Sequence, residues 1–204
     1  MMAVGALALM FAASGCHYYG PCANGSGPVT TELRSIINFT GVTNTGSFDV
    51  YVSEADTFGL EVVAQENLLQ IIETYVSGGN LIIETKNNSC YKSSSPVEVW
   101  VSLPELDRLR LTGSGKVFAD VAASSEVEIT NSGSGWMEID TVYAEYSVVS
   151  NSGSGYIALE ASYTDELDLV QSGSGTIAGG ICFGTADLGI RHSSSGGVLA
   201  TVLD

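Results

Sequence analysis

Hydrophobic and polar positions alternate along most of the chain after residue 31. In SFDVYVSE, Phe48, Val50 and Val52 alternate with other side chains, and a period of two residues is typical of a strand with one buried face. The segments LEVVA, NLIIETK and VEVWVSL continue the pattern and are rich in β-branched and aromatic residues, which favour strands. One segment, ENLLQIIETYV, holds closely spaced apolar residues that fit a short helix. The pattern therefore predicts an all-β protein.

A second pattern repeats every twenty residues or so from residue 109 to residue 204. Its markers are the last glycines of five related motifs, Gly115, Gly135, Gly155, Gly175 and Gly196. Aligning the segments on these glycines gives two apolar columns, Val117, Met137, Ile157, Ile177 and Val198, and Leu109, Ile129, Val149, Leu169 and Ile190. A fixed period of this length is the mark of a solenoid. We therefore predict a parallel β-helix, or β-solenoid, whose coils stack about 4.8 Å apart.

The Ser-Gly-Ser-Gly motifs fall between the apolar columns, where each coil must turn. Glycine adopts positive φ at little cost, so we expect it to permit a tight corner, while the small serines let successive corners stack. The segment VTNTGSFDV resembles TNSGSGWME, with Asn44 aligned to Asn131. Residues 32–204 are therefore predicted to form a single domain, in which longer and less regular β coils precede the repeats.

The first sixteen residues, MMAVGALALMFAASGC, have the composition of an export signal. The apolar run from Ala3 to Ala13 is too short to span a bilayer and fits a signal peptide. Small residues then precede Cys16, as in a lipoprotein signal whose cysteine becomes lipidated; an ordinary cleaved secretion signal is the alternative. Residues 17–31 are rich in Gly, Pro, Asn and Ser and predict a flexible tether. The chain would then reach a membrane through a lipid anchor at Cys16.

Export permits disulfides, and three further cysteines remain after Cys16. Because three is an odd number, they cannot all pair within one chain. A Cys22–Cys90 bond is one arrangement, with Cys182 as a small buried apolar residue, but spacing alone leaves the pairing open. The cysteines form no C-x-x-C pair and no zinc-binding pattern.

Acidic residues outnumber basic ones by 23 to 7, which gives a net charge of -16. Nucleic acid is excluded as a partner, because its affinity for proteins rests mostly on Lys and Arg. Within the repeats, Asp120, Asp140 and Glu160 share one column, and like charges on adjacent strands repel. A bound Ca²⁺ would relieve this repulsion, so the column is a candidate calcium site. The alternative is that water and salt screen exposed carboxylates well enough.

Two other columns carry candidate functional residues. Asn131, Asn151, Gln171 and His192 share a position that predicts a structural hydrogen-bond ladder; a ligand-binding stripe is the alternative. Trp136 and Tyr156 each follow a marker glycine directly. If Met137 and Ile157 point inward, both rings point outward and form a stripe that could stack on sugar or protein. Aromatic packing between neighbouring strands explains the pair equally well.

No catalytic constellation is present in the sequence. TGSGKV, at residues 112–117, lacks the first glycine and the final Ser or Thr of a phosphate-binding loop. A Gly-x-Ser-x-Gly nucleophile motif is absent around Ser134, and the chain has two histidines. We therefore predict that the protein is not an enzyme.

The ordered combination of these segments resembles a known family. INFTGVTNTGSFDVYV, then LEVVAQENLLQIIETYVSGGNLIIET, then VEVWVSLPELDRLRLTGSGKV and the Ser-Gly-Ser-Gly coils are similar to the bacterial auto-transporter adhesin, head GIN domain family. This resemblance covers most of residues 32–200. It implies a β-helical fold and an exported protein, often a lipoprotein, and it supplies no catalytic residues.

These observations predict a non-enzymatic lipoprotein of the cell envelope, anchored in the outer membrane, that presents a rigid surface to protein or polysaccharide. The alternative is a structural or sensory protein that faces the periplasm and self-associates as a homo-oligomer. The apolar segment GGVLATVLD would then be a poorly capped sheet end that pairs with another copy.

Overall fold

The computed structural model describes residues 22–182 and 187–203. The predicted signal, its lipidation site at Cys16 and the first part of the predicted tether lie outside these residues, as does the side chain of Cys182. Within the described ranges, no helix has both the length and the apolar character needed to cross a membrane.

Strands make up nearly all of the regular structure before the repeats. They are β1 (Ala23–Asn24), β2 (Val29–Leu33), β3 (Gly41–Asn44), β4 (Asp49–Glu54), β5 (Gly59–Gln65), β6 (Ile72–Ser77), β7 (Asn80–Thr85), β8 (Tyr91–Lys92) and β9 (Glu98–Leu103). The helical elements described are α1 (Glu66–Leu69) and a 3₁₀ turn at Lys86–Asn88. The predicted helix is therefore correct only for its first four residues. After a turn at Gln70 and Ile71, the remaining residues belong to β6, because they pair antiparallel with β7 from Ile72↔Thr85 to Ser77↔Asn80.

The repeats contain eight described strands, two of which are 16 residues long. They are β10 (Arg108–Leu111), β11 (Lys116–Ala123), β12 (Glu126–Asn131), β13 (Trp136–Asn151), β14 (Tyr156–Gln171), β15 (Thr176–Cys182), β16 (Asp187–His192) and β17 (Gly197–Leu203). Strands β13 and β14 pair in parallel from Trp136↔Tyr156 to Asn151↔Gln171, so residues twenty positions apart lie side by side. The interval read from the sequence is thus the interval of strand pairing. It lengthens by one residue at the last unit, where Gln171 pairs with His192.

The apolar columns of the repeats form the core. Every member of both columns is buried except at the last unit. There, Ile190 continues the column of Leu169 but remains 50% exposed. Full burial of one such aliphatic side chain stabilises a fold by roughly 1.5–3 kcal/mol. The stacked columns are therefore the main source of stability in this half of the molecule.

The described strands form a two-stranded sheet and one large mixed sheet, which is only partly curled. Parallel pairs connect β3 to β10 and β4 to β11. Antiparallel pairs connect β2 to β5, β5 to β9 and β6 to β7. The all-β class is confirmed, but the sheet is not parallel throughout. The segment before the repeats continues the same sheet, because Asn44 and Asn131 both pair with Leu111.

The interpretation of residues 17–31 as a flexible tether is wrong for residues 22–31. Strand β1 pairs with β8, and β2 pairs antiparallel with β5 from Val29↔Gln65 to Leu33↔Glu61. The Cys22–Cys90 disulfide is present, with the two Cα atoms 4.7 Å apart. Composition predicted a spacer because Gly, Pro and Asn are frequent here, but a disulfide and two strand pairings hold this segment against the domain.

The glycines of the corners serve close packing rather than positive φ. Among the glycines of the described part of the chain, positive φ occurs at Gly27, Gly78 and Gly79, and at none of the glycines in the Ser-Gly-Ser-Gly motifs. A Cβ added at Gly153 would instead collide with the carbonyl oxygen of Gly133 in the preceding corner. Stacked corners are also joined by main-chain hydrogen bonds, such as Ser154 N to Gly133 O at 3.0 Å. The expectation about φ was therefore wrong, and glycine is required because one backbone lies directly on the next.

Candidate functional site

The outer surface of five neighbouring strands carries five exposed or half-buried aromatic side chains that stack on one another in two groups. Strands β9, β4, β11, β13 and β14 lie side by side in that order. In each strand alternate residues are buried, as Val50 and Val52 are in β4. The residues between them must point to the opposite side of the sheet, because successive side chains of a strand alternate.

Two rows of stacked rings cross this surface. In the first row, Tyr51 lies between Trp100 and Phe118, with ring centroids 4.2 Å and 5.1 Å away and interplanar angles of 14° and 11°. In the second row, the centroids of Trp136 and Tyr156 are 4.2 Å apart, at 24°. We call these five residues the aromatic face. The two rows are neighbours, because Phe118 of the first row lies on β11 and Trp136 of the second row lies on the adjacent strand β13. They are offset by two residues along the strands, since Lys116 pairs with Trp136 and Phe118 pairs with Glu138.

Carboxylates surround the aromatic face. The alternation and register of the strands place seven on this surface, Asp49, Glu61, Glu98, Asp120, Glu138, Asp140 and Glu160. Two of them accept hydrogen bonds from the indoles: Trp100 Nε1 donates to Glu98 at 3.3 Å, and Trp136 Nε1 donates to Glu138 at 3.2 Å. The indole rings are therefore oriented by their acidic neighbours.

Burial and, after it, the negative charge of this surface raise the pKa of two groups on it. Burial, followed by the charges of Asp49 and Glu98, raises the pKa of the Tyr51 phenol. Burial, followed by the charges of Asp120 and Glu138, raises the pKa of the Asp140 carboxyl. Both raised pKa values mean that an additional negative charge is disfavoured at these positions. The surface is therefore suited to a ligand that brings positive charge.

The surface also has relief. A cleft of about 220 Å³ lies over the first row, where Tyr51, Trp100 and Phe118 meet Glu61 and Asp120. A shallower groove of about 360 Å³ runs beside the second row and follows the stacked Ser-Gly corners. Both depressions are open to solvent, so a ligand would lie along the surface in an extended conformation and would not be enclosed.

The column of polar residues beneath the corners has a different geometry from a ladder of mutually bonded amides. The side chain of Asn131 is fully buried and bonds the corner itself: Nδ2 donates to Gly135 O at 3.0 Å, and Oδ1 accepts from Gly133 N at 3.0 Å. Asn151 donates in the same way to Gly155 O at 2.8 Å. Weaker contacts reach the next strand, as from Asn151 Nδ2 to Thr176 O at 3.3 Å. Each amide therefore fixes its own corner.

The same column continues in both directions. Asn44 repeats the two bonds of Asn131, donating to Phe48 O at 3.0 Å and accepting from Gly46 N at 3.0 Å. Gln171 donates to Gly173 O at 2.8 Å, and His192 Nε2 lies 2.8 Å from Gly196 O. His192 is exposed, whereas Asn44 and Gln171 are fully buried. This arrangement favours a structural role over a ligand stripe.

The family model for "Putative auto-transporter adhesin, head GIN domain" matches residues 38–204. The chain belongs to this family. No curated protein matches the chain.

Solved structures share the fold of this head GIN domain at low sequence identity. A "putative adhesin" from Bacteroides fragilis is 14% identical with a TM-score of 0.70, covering 87% of this chain and 99% of its own. A "putative adhesin" from Parabacteroides merdae is 19% identical with a TM-score of 0.65, covering 90% and 81% respectively. A "putative lipid binding protein" from Parabacteroides distasonis is 19% identical with a TM-score of 0.58, covering 89% and 98%. Because one fold carries such different names, function has to be argued from the surface of this chain.

The aromatic residues predicted from the sequence are only part of the aromatic face of this head GIN domain. Trp136 and Tyr156 lie together as expected. Tyr51, Trp100 and Phe118 were missed. The alignment of Asn44 with Asn131 places Tyr51 in the same column as Phe118, so these two residues could have been predicted to be neighbours. The alternation in VEVWV places Trp100 on an outer surface, but no repeat connects its strand to the twenty-residue units.

The carboxylates that lie close together in the structure are not the same three that the sequence predicted as a calcium site. The carboxylates that come close enough to share an ion are Glu138, Asp140 and Glu160, whose ligand oxygens lie within 4.8 Å of one another. Asp120 is not in this group. Calcium prefers six to eight oxygen ligands, and these three partly or fully exposed side chains could supply only part of that set. Calcium binding at Asp120, Asp140 and Glu160 stays a prediction.

Proposed function

We propose that this head GIN domain is a non-enzymatic binding module of the bacterial cell envelope. In this proposal, lipid on Cys16 anchors the chain in the outer membrane, and the aromatic face binds a protein or a polysaccharide. The observation that carries the proposal is the aromatic face itself: five rings stacked in two rows on one outer surface, with Trp100 45% and Trp136 41% exposed. Exposed apolar patches on folded domains mark interaction sites.

Membership of the family supports the placement at the envelope, because its description is that of an adhesin. The finer architecture enters the same proposal. We take the twenty-residue units to be coils of a β-solenoid, because their strands pair in parallel and their corners stack through main-chain hydrogen bonds. A solenoid presents an extended, preformed surface, so binding would cost little ordering of the protein.

The experiment is a binding screen of the purified domain against immobilised polysaccharides and extracellular or envelope proteins. A double variant, Trp100→Ser with Trp136→Ser, removes one ring from each row. The matched control is Tyr143→Ser with Tyr163→Ser, which removes another exposed stacked pair, 5.0 Å between centroids. The proposal predicts that at least one ligand binds to the native domain and to the tyrosine control but does not bind to the tryptophan variant. Ligands that all three bind equally would contradict a role for the aromatic face.

A second candidate function is the self-associating structural or sensory protein that faces the periplasm. It is favoured by the last repeat unit, where Leu188 and Ile190 extend the buried columns of Leu167 and Leu169 but are 38% and 50% exposed. Among the described strands, β16 pairs only with β14. Light scattering after size exclusion tests it: a dimer that Ile190→Lys dissociates supports self-association, and a monomer at high concentration contradicts it.

A further inference from the structure

The surface that bears the aromatic face carries almost no positive charge. Seven carboxylates lie on it, and its basic residue is Lys116. The other six basic residues lie elsewhere, at Arg34, Lys86, Lys92, Arg108, Arg110 and Arg191. The ratio of acidic to basic residues is therefore higher on this surface than in the whole chain, which has 23 acidic and 7 basic residues.

Most of these carboxylates have no cation beside them. Among the described residues, one ion pair involves these carboxylates: Lys116 Nζ lies 3.8 Å from Asp49 Oδ2. The ion pairs of Arg108 and Arg110 with Glu128 lie on other strands. The ion pair of Arg191 with Asp168 lies at the far end of β14, away from the aromatic face. Unpaired carboxylates in a confined area attract cationic partners and repel anionic ones.

The geometry of the rings argues against a sugar as the main ligand. A pyranose stacks on the flat face of an aromatic ring, but Tyr51 has a ring on both faces and each of the other four rings has a neighbouring ring on one face, with centroids 4.2–5.1 Å apart. This stacking reduces the flat ring area that is open to a sugar, and carboxylates lie beside the rings. Neutral sugars would gain nothing from the charge, and acidic polysaccharides would be repelled.

We infer that the partner of the aromatic face is a protein segment bearing several Lys or Arg side chains, which lies across the ring rows with its cationic groups against the flanking carboxylates. This inference rests on the proposed function and narrows its partner class. Long aliphatic stems of Lys and Arg would cover the ring edges, and their charged ends would replace the missing counter-charges. Arg also forms paired hydrogen bonds with a carboxylate.

The test uses the whole folded domain and a fluorescent peptide of five Lys-Ser repeats, with a Glu-Ser peptide of equal length and dextran as reference probes. The face variant combines Glu61→Gln, Asp120→Asn and Glu138→Gln. The matched control combines Glu126→Gln, Glu145→Gln and Asp165→Asn, which are exposed residues outside the aromatic face. Both variants have the same net charge. Anisotropy at about 50 and 150 mM salt covers a range in which surface charges are increasingly screened.

We expect the Lys-Ser peptide to bind the native domain, the reference probes not to bind, and the face variant to lose about tenfold in affinity. The control variant should lose less than about twofold. Equal losses in both variants, or no binding of the Lys-Ser peptide, would overturn the inference. The proposed function fails separately, since it requires only that some ligand in the screen depends on Trp100 and Trp136. A polysaccharide that depends on those rings would uphold the function and refute the basic partner.

Discussion

The corner glycines allow a direct test of how the repeat units stack, and Gly153 is the best position for it. Replacing Gly153 with Ala adds a methyl group where the carbonyl oxygen of Gly133 lies, with Ser132 main-chain atoms close by. These are backbone atoms, so the clash cannot be relieved by rotating a side chain. The two corners must move apart, although they are joined by hydrogen bonds from Ser154 N and Gly155 N to Gly133 O at 3.0 Å and 3.2 Å.

The expected cost follows from these two effects. Forcing an extra methyl group into a well-packed site costs roughly 1–3 kcal/mol. Weakening two main-chain hydrogen bonds adds roughly 0.5–1.5 kcal/mol for each bond lost. Because the same movement causes both effects, they overlap, and we expect Gly153→Ala to lower the free energy of unfolding by roughly 2–4 kcal/mol.

Urea unfolding followed by circular dichroism measures this change. The control is Gly197→Ala, because a Cβ at Gly197 meets Thr176 only at an ordinary 3.7 Å; this variant should match the native protein or be slightly more stable. Gly153→Asn separates the two explanations of the corner. Asn tolerates positive φ better than Ala, so a requirement for positive φ predicts that Asn is the milder change. Our reasoning predicts that Asn is at least as destabilising as Ala, and a near-native Gly153→Asn would refute it.

Four further predictions concern other contacts of the fold. Asn131→Ala removes both corner bonds of a fully buried amide and should cost roughly 2–4 kcal/mol, whereas an unchanged urea midpoint would show that the column is not structural. Cys90→Ser opens the loop closed by Cys22 and should cost up to about 4 kcal/mol; a dithiothreitol-insensitive melting temperature in the native protein would contradict this. Because the Asp140 pKa is raised in the folded protein, the ionised form opposes folding, and this destabilisation is relieved as pH falls through the folded pKa. Asp140→Asn should therefore raise the melting temperature at pH 7 and not near pH 3, and equal shifts at both values would disprove the charge argument. Millimolar calcium should raise the native melting temperature and leave that of Asp140→Asn unchanged; no rise in the native protein would exclude the calcium site.

The regular half of the fold was predictable because the interval of its sequence repeat equals the offset between paired residues of neighbouring strands. Residues twenty positions apart carry similar side chains, and parallel pairing such as Met137↔Ile157 follows from that period. The buried columns follow in turn, because an inward position in one strand of a parallel stack remains inward in the strand that pairs with it. The outward position of Trp136 and Tyr156 could be read from the same alignment.

The remainder depends on pairings that leave no period in the sequence. Tyr51 meets Trp100 because β4 pairs with β9, and it meets Phe118 because β4 pairs with β11. The alignment of Asn44 with Asn131 places Tyr51 beside Phe118. No alignment adds Trp100, because the segment that leads from β4 to β9 matches no repeat unit. The role of the corner glycines was misjudged for a related reason. Local sequence shows that glycine permits unusual φ, whereas the oxygen it must avoid belongs to the corner of the previous unit.

The central claim, that the aromatic face is the surface which binds a partner, is tested most directly by photo-crosslinking in intact bacteria that express the whole chain. A benzophenone amino acid is placed at Trp136 in one strain and at Tyr143, outside the aromatic face, in another. We expect a discrete light-dependent adduct from position 136 and none from position 143, and mass spectrometry of that adduct should identify a protein with a basic segment. An adduct from position 143 alone, or the same adduct from both positions, would contradict it.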